Sequence, residues 1–251
     1  MPDTVDHRPF LLLSIRAEDE AADDEYGAML RFTGLDPTSL HRVRLTHRLL
    51  GEIDLSEWSG IILGGGPYNV SDPAARKSAT QVRVEAELAS LIRSIVDSDF
   101  PFLGCCYGVG TLGSVVGAAI DGTYAEPVAG LTVRLTAAGR DDPLLADLPE
   151  VFNAYGGHKE AVTSLPDGVV CLASSPTCPV QAFRVGDNAY ATQFHPELDV
   201  EGICTRIDVY KHHGYFDPEA AESMKSAARQ WKVYHPGTIL RRFVERYSRS
   251  R

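Results

Sequence analysis

The chain has 251 residues, 44% of them apolar and 23% charged, which is enough for one large domain with a full core. A formal net charge of −10 works against nonspecific binding to nucleic acid, and no apolar run approaches the ~20 residues needed to span a bilayer. The five cysteines (105, 106, 171, 178 and 204) are odd in number and lack metal-type CxxC spacing, which suits a reducing compartment and an active thiol. The polar start Met1–Arg8 and the short apolar run Phe10–Leu13 do not make a signal-peptide core, so a soluble, cytoplasmic protein is expected.

Taken in chain order, Phe10–Ile15 reads as a strand and Asp23–Phe32 as a helix closed by Gly34. After the strand Glu18, Asp19, Glu20, Asp23, Asp24 and Glu25 form an acidic cluster, read as a solvated loop or helix start. Strands follow at His41–Thr46 and Gly60–Leu63. A long helix covers Lys77–Ser98, with Val84, Leu88, Leu91, Ile92 and Ile95 at helical spacing. Phe102–Cys105 is the next strand, and Thr111–Val116 begins the helix after it. Repeated βαβ units predict an α/β fold: an open, mostly parallel sheet with helices on both faces and its chemistry at the carboxyl ends of the strands. From Thr123 onward the pattern changes. Gly130–Thr136, Val169–Ala173, Val180–Val185 and Asn188–Phe194 read as strands with short turns, an antiparallel extension of the sheet. Pro218–Trp231 and Gly237–Arg249 read as helices, the last with Ile239, Leu240, Phe243, Val244 and Tyr247 on one face. No repeat or interdomain linker interrupts the chain, so residues 1–251 are expected to form a single domain.

Two segments carry chemistry. In Pro101-Phe-Leu-Gly-Cys-Cys-Tyr-Gly108 a thiol is flanked by Gly104 and Gly108, between a strand and a helix. Small residues there permit the sharp turn of a nucleophile elbow, and Cys106 would sit at a helix N-terminus, which favours a thiolate. In isolation Cys106 equally fits a small buried hydrophobe. The second segment, Gln193-Phe-His-Pro-Glu197, sets a histidine at a strand end with a carboxylate two residues on. A thiol nucleophile needs an imidazole to move its proton, and the imidazole needs a carboxylate to orient it.

With these segments the chain resembles the class I glutamine amidotransferases, over most of residues 10–197. Leu63-Gly-Gly-Gly-Pro67 looks like their oxyanion loop, and Gly104-Cys-Cys106-Tyr-Gly108 matches Gly-x-Cys-x-Gly. Val180-Gln-Ala-Phe183 with Gln193–Glu197 matches the closing hairpin and His-Pro-Glu signature. Gly157-His-Lys-Glu160 and Leu165-Pro-Asp-Gly168 look like the loop before that hairpin. The resemblance implies the flavodoxin-like fold of that family. It also implies attack of Cys106 on a glutamine side-chain amide, with His195 as base and acid and Glu197 orienting it. Ammonia would leave, and a γ-glutamyl thioester would be hydrolysed. Oxyanion donors would be the N–H groups of Tyr107 and of the Gly65–Gly66 loop. No cofactor or metal is implied: adjacent His212 and His213 point apart and would need further ligands. Lys211, His212 and Tyr215 are expected to make plain surface contacts.

The chain departs from the family at one motif position. Where the motif continues Gly-x-Gln, and the glutamine helps hold the substrate's amino-acid end, this chain has Gly110. His158 is the candidate replacement. Three functions remain open: an amidotransferase subunit feeding ammonia to a separate synthetase subunit, a stand-alone hydrolase of γ-glutamyl compounds, and a noncatalytic binding protein. These 251 residues are not expected to hold an ATP-pyrophosphatase domain as well, and its Ser-Gly-Gly-x-Asp-Ser loop does not occur among them. Residues 199–235 fall outside the shared motifs and are expected to form a loop or helix capping the site, or a docking surface, ahead of a C-terminal helix at 237–249.

Overall fold

A computed structural model describes residues 8–213 and 216–248. The apolar run after Pro9 forms β1 (Phe10–Ser14), buried along its whole length as a strand covered on both faces should be. Helix α1 (Asp19–Thr33) starts four residues before the expected Asp23. Asp19 and Glu20 occupy its first turn, where the positive end of the helix dipole favours carboxylates, and Gly34 closes it in the left-handed conformation. Strands β2 (Leu40–Arg44) and β3 (Gly60–Leu63) follow. The Ser78 side chain then caps α2 (Ala79–Asp97) by accepting the Gln81 N–H. Strand β4 (Phe102–Cys105) runs directly into α3 (Tyr107–Val116), four residues earlier than the apolar pattern suggested.

The second half holds β5 (Ala119–Asp121), β6 (Glu126–Leu135), α4 (Ala137–Asp141), β7 (Val151–His158) and β8 (Ala161–Ser164). These are followed by β9 (Val170–Ser174), β10 (Ala182–Val185) and β11 (Ala189–Thr192), then by α5 (Val200–Tyr210), α6 (Ala221–Ala228) and α7 (Gly237–Tyr247). The main sheet has the order β2-β1-β3-β4-β11-β10-β9-β6-β7. Pairing is parallel from β2 to β11 and antiparallel from β11 to β7. Strands β5 and β8 make a separate antiparallel pair. The parallel α/β half and its antiparallel extension thus stand as expected. Helices cover both faces: Met29, Leu240 and Phe243 pack with Phe10 and Leu12 on one side, and Val84, Leu88 and Leu112 pack with Leu11 and Leu13 on the other.

Several boundaries differ from the sequence reading. Gly157–Glu160 was expected in a loop, but β7 runs through His158 as the sheet's edge strand beside β6. Its two glycines are what disguise it and also what it needs. A Cβ on Gly156 would lie 2.4 Å from the Leu131 side chain, and one on Gly157 would lie 2.7 Å from that of Val128. Segment 200–210 is a helix, whereas Pro218–Trp231 is shorter than expected: a 3₁₀ turn at Pro218–Ala220 leads into α6, which ends at Ala228. The last helix ends at Tyr247; Arg249 and Tyr215 lie outside the described residues. Among the described residues no helix is long and apolar enough to cross a membrane.

Candidate active site

Cys105 and Cys106 diverge at the carboxyl end of β4. Cys105 is wholly buried, and burial pushes its thiol well above the ordinary range. Cys106 is partly exposed and caps α3 with φ 55° and ψ −86°, a left-handed backbone that side-chain-bearing residues rarely adopt. The turn survives because a Cβ on Gly104 would come within 2.7 Å of the Gly108 backbone, so the first turn of α3 lies directly on the strand end. The Cys106 N–H donates to the Thr192 carbonyl at 2.7 Å, tying the elbow to the end of β11. Its Sγ faces the Gly157 carbonyl at 4.0 Å.

Thr192 lies three residues before His195, so this tie brings the thiol and the imidazole together. The His195 N–H donates to the Tyr155 carbonyl of β7 at 3.0 Å, which fixes the residue between the two halves of the sheet. Its Nδ1 donates to Glu197 Oε1 at 2.8 Å. Burial opposes charge on His195, but the Glu197 carboxylate and the hydrogen-bonded Cys106 outweigh it and lift the imidazole to about 9. Burial likewise opposes ionisation of Glu197, yet His195 and Arg206 hold its carboxyl well below the usual range. The glycine loop after β3 closes the other side. A Cβ on Gly65 would sit 2.5 Å from His195 Cε1, and one on Gly66 would sit 2.4 Å from Ile15. Among the described residues the N–H groups of Gly66 and Tyr107 have no hydrogen-bond acceptor.

The structure therefore brings Cys106, His195 and Glu197 together, with Gly65, Gly66 and Tyr107 around them. It also shows groups the sequence did not single out. Arg206 Nη2 donates to Glu197 Oε1 at 3.1 Å, and Glu25 lies 3.7 Å from the same guanidinium. Glu25 is wholly buried, which corrects its reading as part of a solvated acidic run. The detectable signal was periodicity: Ala21, Ala22, Glu25, Ala28 and Met29 share the buried face of α1.

Two cavities open on Cys106. One, of about 60 Å³, is lined by His195, Arg16, Val128, Ile203, Tyr210 and Phe216, so α5 and Phe216 form part of its wall. The other, of about 20 Å³, has Tyr68, Asn69, His158, Lys159, Glu160 and Gln193 among its lining residues. Gly110 has no room for a side chain: a Cβ there would meet Glu160 Oε1 at 2.6 Å and Val70 Cγ2 at 2.9 Å. Glu160 fills that space, its oxygens accepting the Val70 and Ser71 N–H groups at 2.9 and 2.8 Å. His158 lines this cavity, but both ring nitrogens are engaged, Nδ1 with the Glu160 carbonyl and Nε2 with Glu126 Oε2. Neither nitrogen is thus left over for the substrate contact expected of His158 as the replacement for the motif glutamine. The ligand-type atoms of Glu126, His158 and Cys178 lie within 4.8 Å of one another. They belong to a hydrogen-bonded network, in which Glu126 also accepts from Thr177, Ser175 and Gln181. Burial opposes ionisation of Glu126, but His158 and Thr177 bring its carboxyl down to about 2.

This packing yields an expected result. Gly110→Gln should displace Glu160 and lower stability by about 1–3 kcal/mol, read as a fall in thermal midpoint, rather than restore a family contact. An unchanged midpoint would show that Glu160 does not occupy that space.

A GMP synthase (glutamine-hydrolysing) from Porphyromonas gingivalis is 33% identical over 146 residues, which cover 58% of this chain and 26% of that one. The enzyme of the same name from Ectopseudomonas mendocina is 34% identical over 147 residues, covering 55% and 25%. The chain thus matches about a quarter of the length of these curated relatives. Among solved structures, a glutamine amidotransferase from Thermotoga maritima superposes with TM-score 0.75 at 21% identity, covering 96% of this chain and 98% of that one. One from Methylobacillus flagellatus gives 0.71 at 15% identity, covering 97% and 96%. At such identities the superpositions speak for the fold. The sequence model of the family described as glutamine amidotransferase class-I matches residues 35–202, so the chain belongs to that family.

Proposed function

We propose that this chain is a glutaminase-type amidotransferase, one domain that releases ammonia from the side-chain amide of glutamine. The supporting observation is the elbow thiol Cys106 beside an imidazole that Glu197 orients. Cys106 sulfur attacks the amide carbon, and the oxyanion is held by the N–H groups of Gly66 and Tyr107. His195 delivers a proton to the leaving nitrogen, ammonia departs, and a γ-glutamyl thioester remains. His195 then deprotonates a water that attacks the thioester, returning glutamate and the thiol. In this reading the amino-acid end lies in the small cavity, among Asn69, Lys159, Glu160 and Gln193, with Glu160 standing in for the family's glutamine side chain. The acceptor of the ammonia would be supplied by a separate synthetase subunit.

A second reading is favoured by the larger cavity on the α5 side of Cys106. Ammonia needs no such space, whereas an amine leaving group on a γ-glutamyl compound would use the wall of Val128, Ile203 and Phe216. Ammonia release from glutamine, measured with and without candidate synthetase subunits, tests the first reading. Turnover of γ-glutamyl peptides without turnover of glutamine would replace it by the second. Absence of both, with no covalent labelling of Cys106, would leave only a binding role.

A further inference from the structure

Behind His195 and Glu197 lies a layer of buried charge that falls outside the family match over residues 35–202. Arg206 comes from α5, Glu25 from α1, and Arg16 from just past β1. Arg206 is 6% exposed and Glu25 is 0% exposed. Arg206 Nη2 reaches the Glu197 oxygen that also accepts His195 Nδ1–H, at 3.1 and 2.8 Å respectively. The same guanidinium lies 3.7 Å from Glu25, which Ser14 Oγ and Arg16 Nε hold at 2.8 and 3.0 Å. Glu25 also supports the glycine loop, since a Cβ on Gly64 would lie 2.7 Å from its carboxylate. Two carboxylates and two guanidiniums balance each other here.

We infer that Arg206 is a positioning residue, which pins the Glu197 oxygen that orients His195 and, in balance with Glu25, sets the pH range over which that imidazole stays charged. The inference rests on the proposed Cys106–His195–Glu197 assignment. An oxygen receiving two converging N–H groups has little angular freedom, so the carboxylate cannot swing away from the imidazole. Arg206 Nη1 also lies 3.5 Å from His195 Nδ1. With Nδ1 donating to Glu197, both atoms are donors, so their contact is electrostatic and disfavours the imidazolium. Removing Glu25 would leave Arg206 less neutralised and strengthen that effect. Removing Arg206 would leave two buried carboxylates and weaken it.

Among the described residues, the charged or titratable groups that face this cluster include Cys105 and Cys106 at the elbow, Arg16 after β1, Asp24 on α1, Tyr155 on β7 and Tyr210 on α5. Arg16 donates to the Tyr210 hydroxyl at 3.1 Å and stays charged beside Glu25. None of these is altered in the two variants that test the inference.

The test is an NMR titration of the His195 ring in the whole chain, assigned by subtracting the spectrum of His195→Asn, alongside iodoacetamide alkylation of Cys106 across pH. Neither measurement needs turnover of glutamine, so failure of the inference is distinct from failure of the proposed function. Arg206→Gln should move the His195 midpoint upward from about 9 by about one pH unit, and Glu25→Gln should move it downward by a similar amount. Arg206→Lys, which keeps the charge but cannot engage two carboxylates at once, should keep the midpoint within a few tenths while slowing alkylation several-fold. Because the two Gln variants carry opposite signs, either one suffices if the other does not fold. Both midpoints falling toward the value of a solvated imidazole, about 6.5, would mean that the cluster only holds the fold together. An unmoved midpoint in either variant would equally overturn the inference.

Discussion

Cys106→Ala should abolish covalent labelling by a glutamine-like electrophile and reduce turnover by on the order of 10⁴-fold or more, whereas Cys105→Ala should retain both. The two sulfurs are neighbours in sequence but occupy opposed environments. Cys105 ends β4 inside the sheet, packed with Leu103, Tyr190 and Phe194, and its thiol is held protonated by burial. Its loss removes one buried sulfur and should reduce stability without touching either cavity. Cys106 sits at the start of α3, lines both cavities, and hydrogen-bonds the imidazole of His195. Mass spectrometry of the labelled chain reads the difference directly. Labelling that follows Cys105 would remove the nucleophile assignment and the proposed mechanism with it.

The distance between what the sequence revealed and what it hid follows from locality. Cys106, His195 and Glu197 were legible because each sits in a short segment whose neighbours are needed at fixed offsets. Gly104 and Gly108 let the elbow turn, and Pro196 stands between the imidazole and its carboxylate. Strands β1, β3 and β4 were legible because they are covered on both faces and read as short, largely apolar runs, whereas the edge strand β2 showed itself by alternation. Strand β7 was not, because β6 passes so close to it that two glycines replace the alternation a strand otherwise shows. Arg206 and Glu25 were hidden for a different reason. Charged residues on a helix are read as its solvated face, and only tertiary pairing between α1 and α5 turns these two inward. Gly110 misled in the same way: Glu160, which fills the space beside it, lies fifty residues away in the turn between β7 and β8.

Glu197→Gln is the second change with a large expected effect, and its pH dependence has a determinate sign. The amide keeps the shape but loses the charge. His195 loses the carboxylate that holds it near 9, and its midpoint should fall. The imidazolium that protonates the leaving nitrogen in the proposed mechanism then becomes scarce at neutral pH, and the alkaline limb of kcat should move to lower pH. The amide can also present its NH₂ group to Nδ1 and select the wrong tautomer, a defect that costs about 10⁴-fold in related triads. Arg206 is left short of a carboxylate partner in a buried site, where breaking such a pair costs about 3–5 kcal/mol. The linkage to folding has two arms. A histidine raised to about 9 stabilises the fold fully below its unfolded value of about 6.5, and this stabilisation is lost as pH rises through 9. A glutamate held below its ordinary value stabilises the fold above about 4.5, and that contribution drains away as pH falls through its lowered value. The thermal midpoint of the wild-type chain should therefore decline on the alkaline side near 9, and in Glu197→Gln this decline should be flattened and shifted toward neutral pH. If the variant instead keeps the wild-type alkaline limb in both kcat and thermal midpoint, Glu197 does not govern His195, and the base must be oriented by another group.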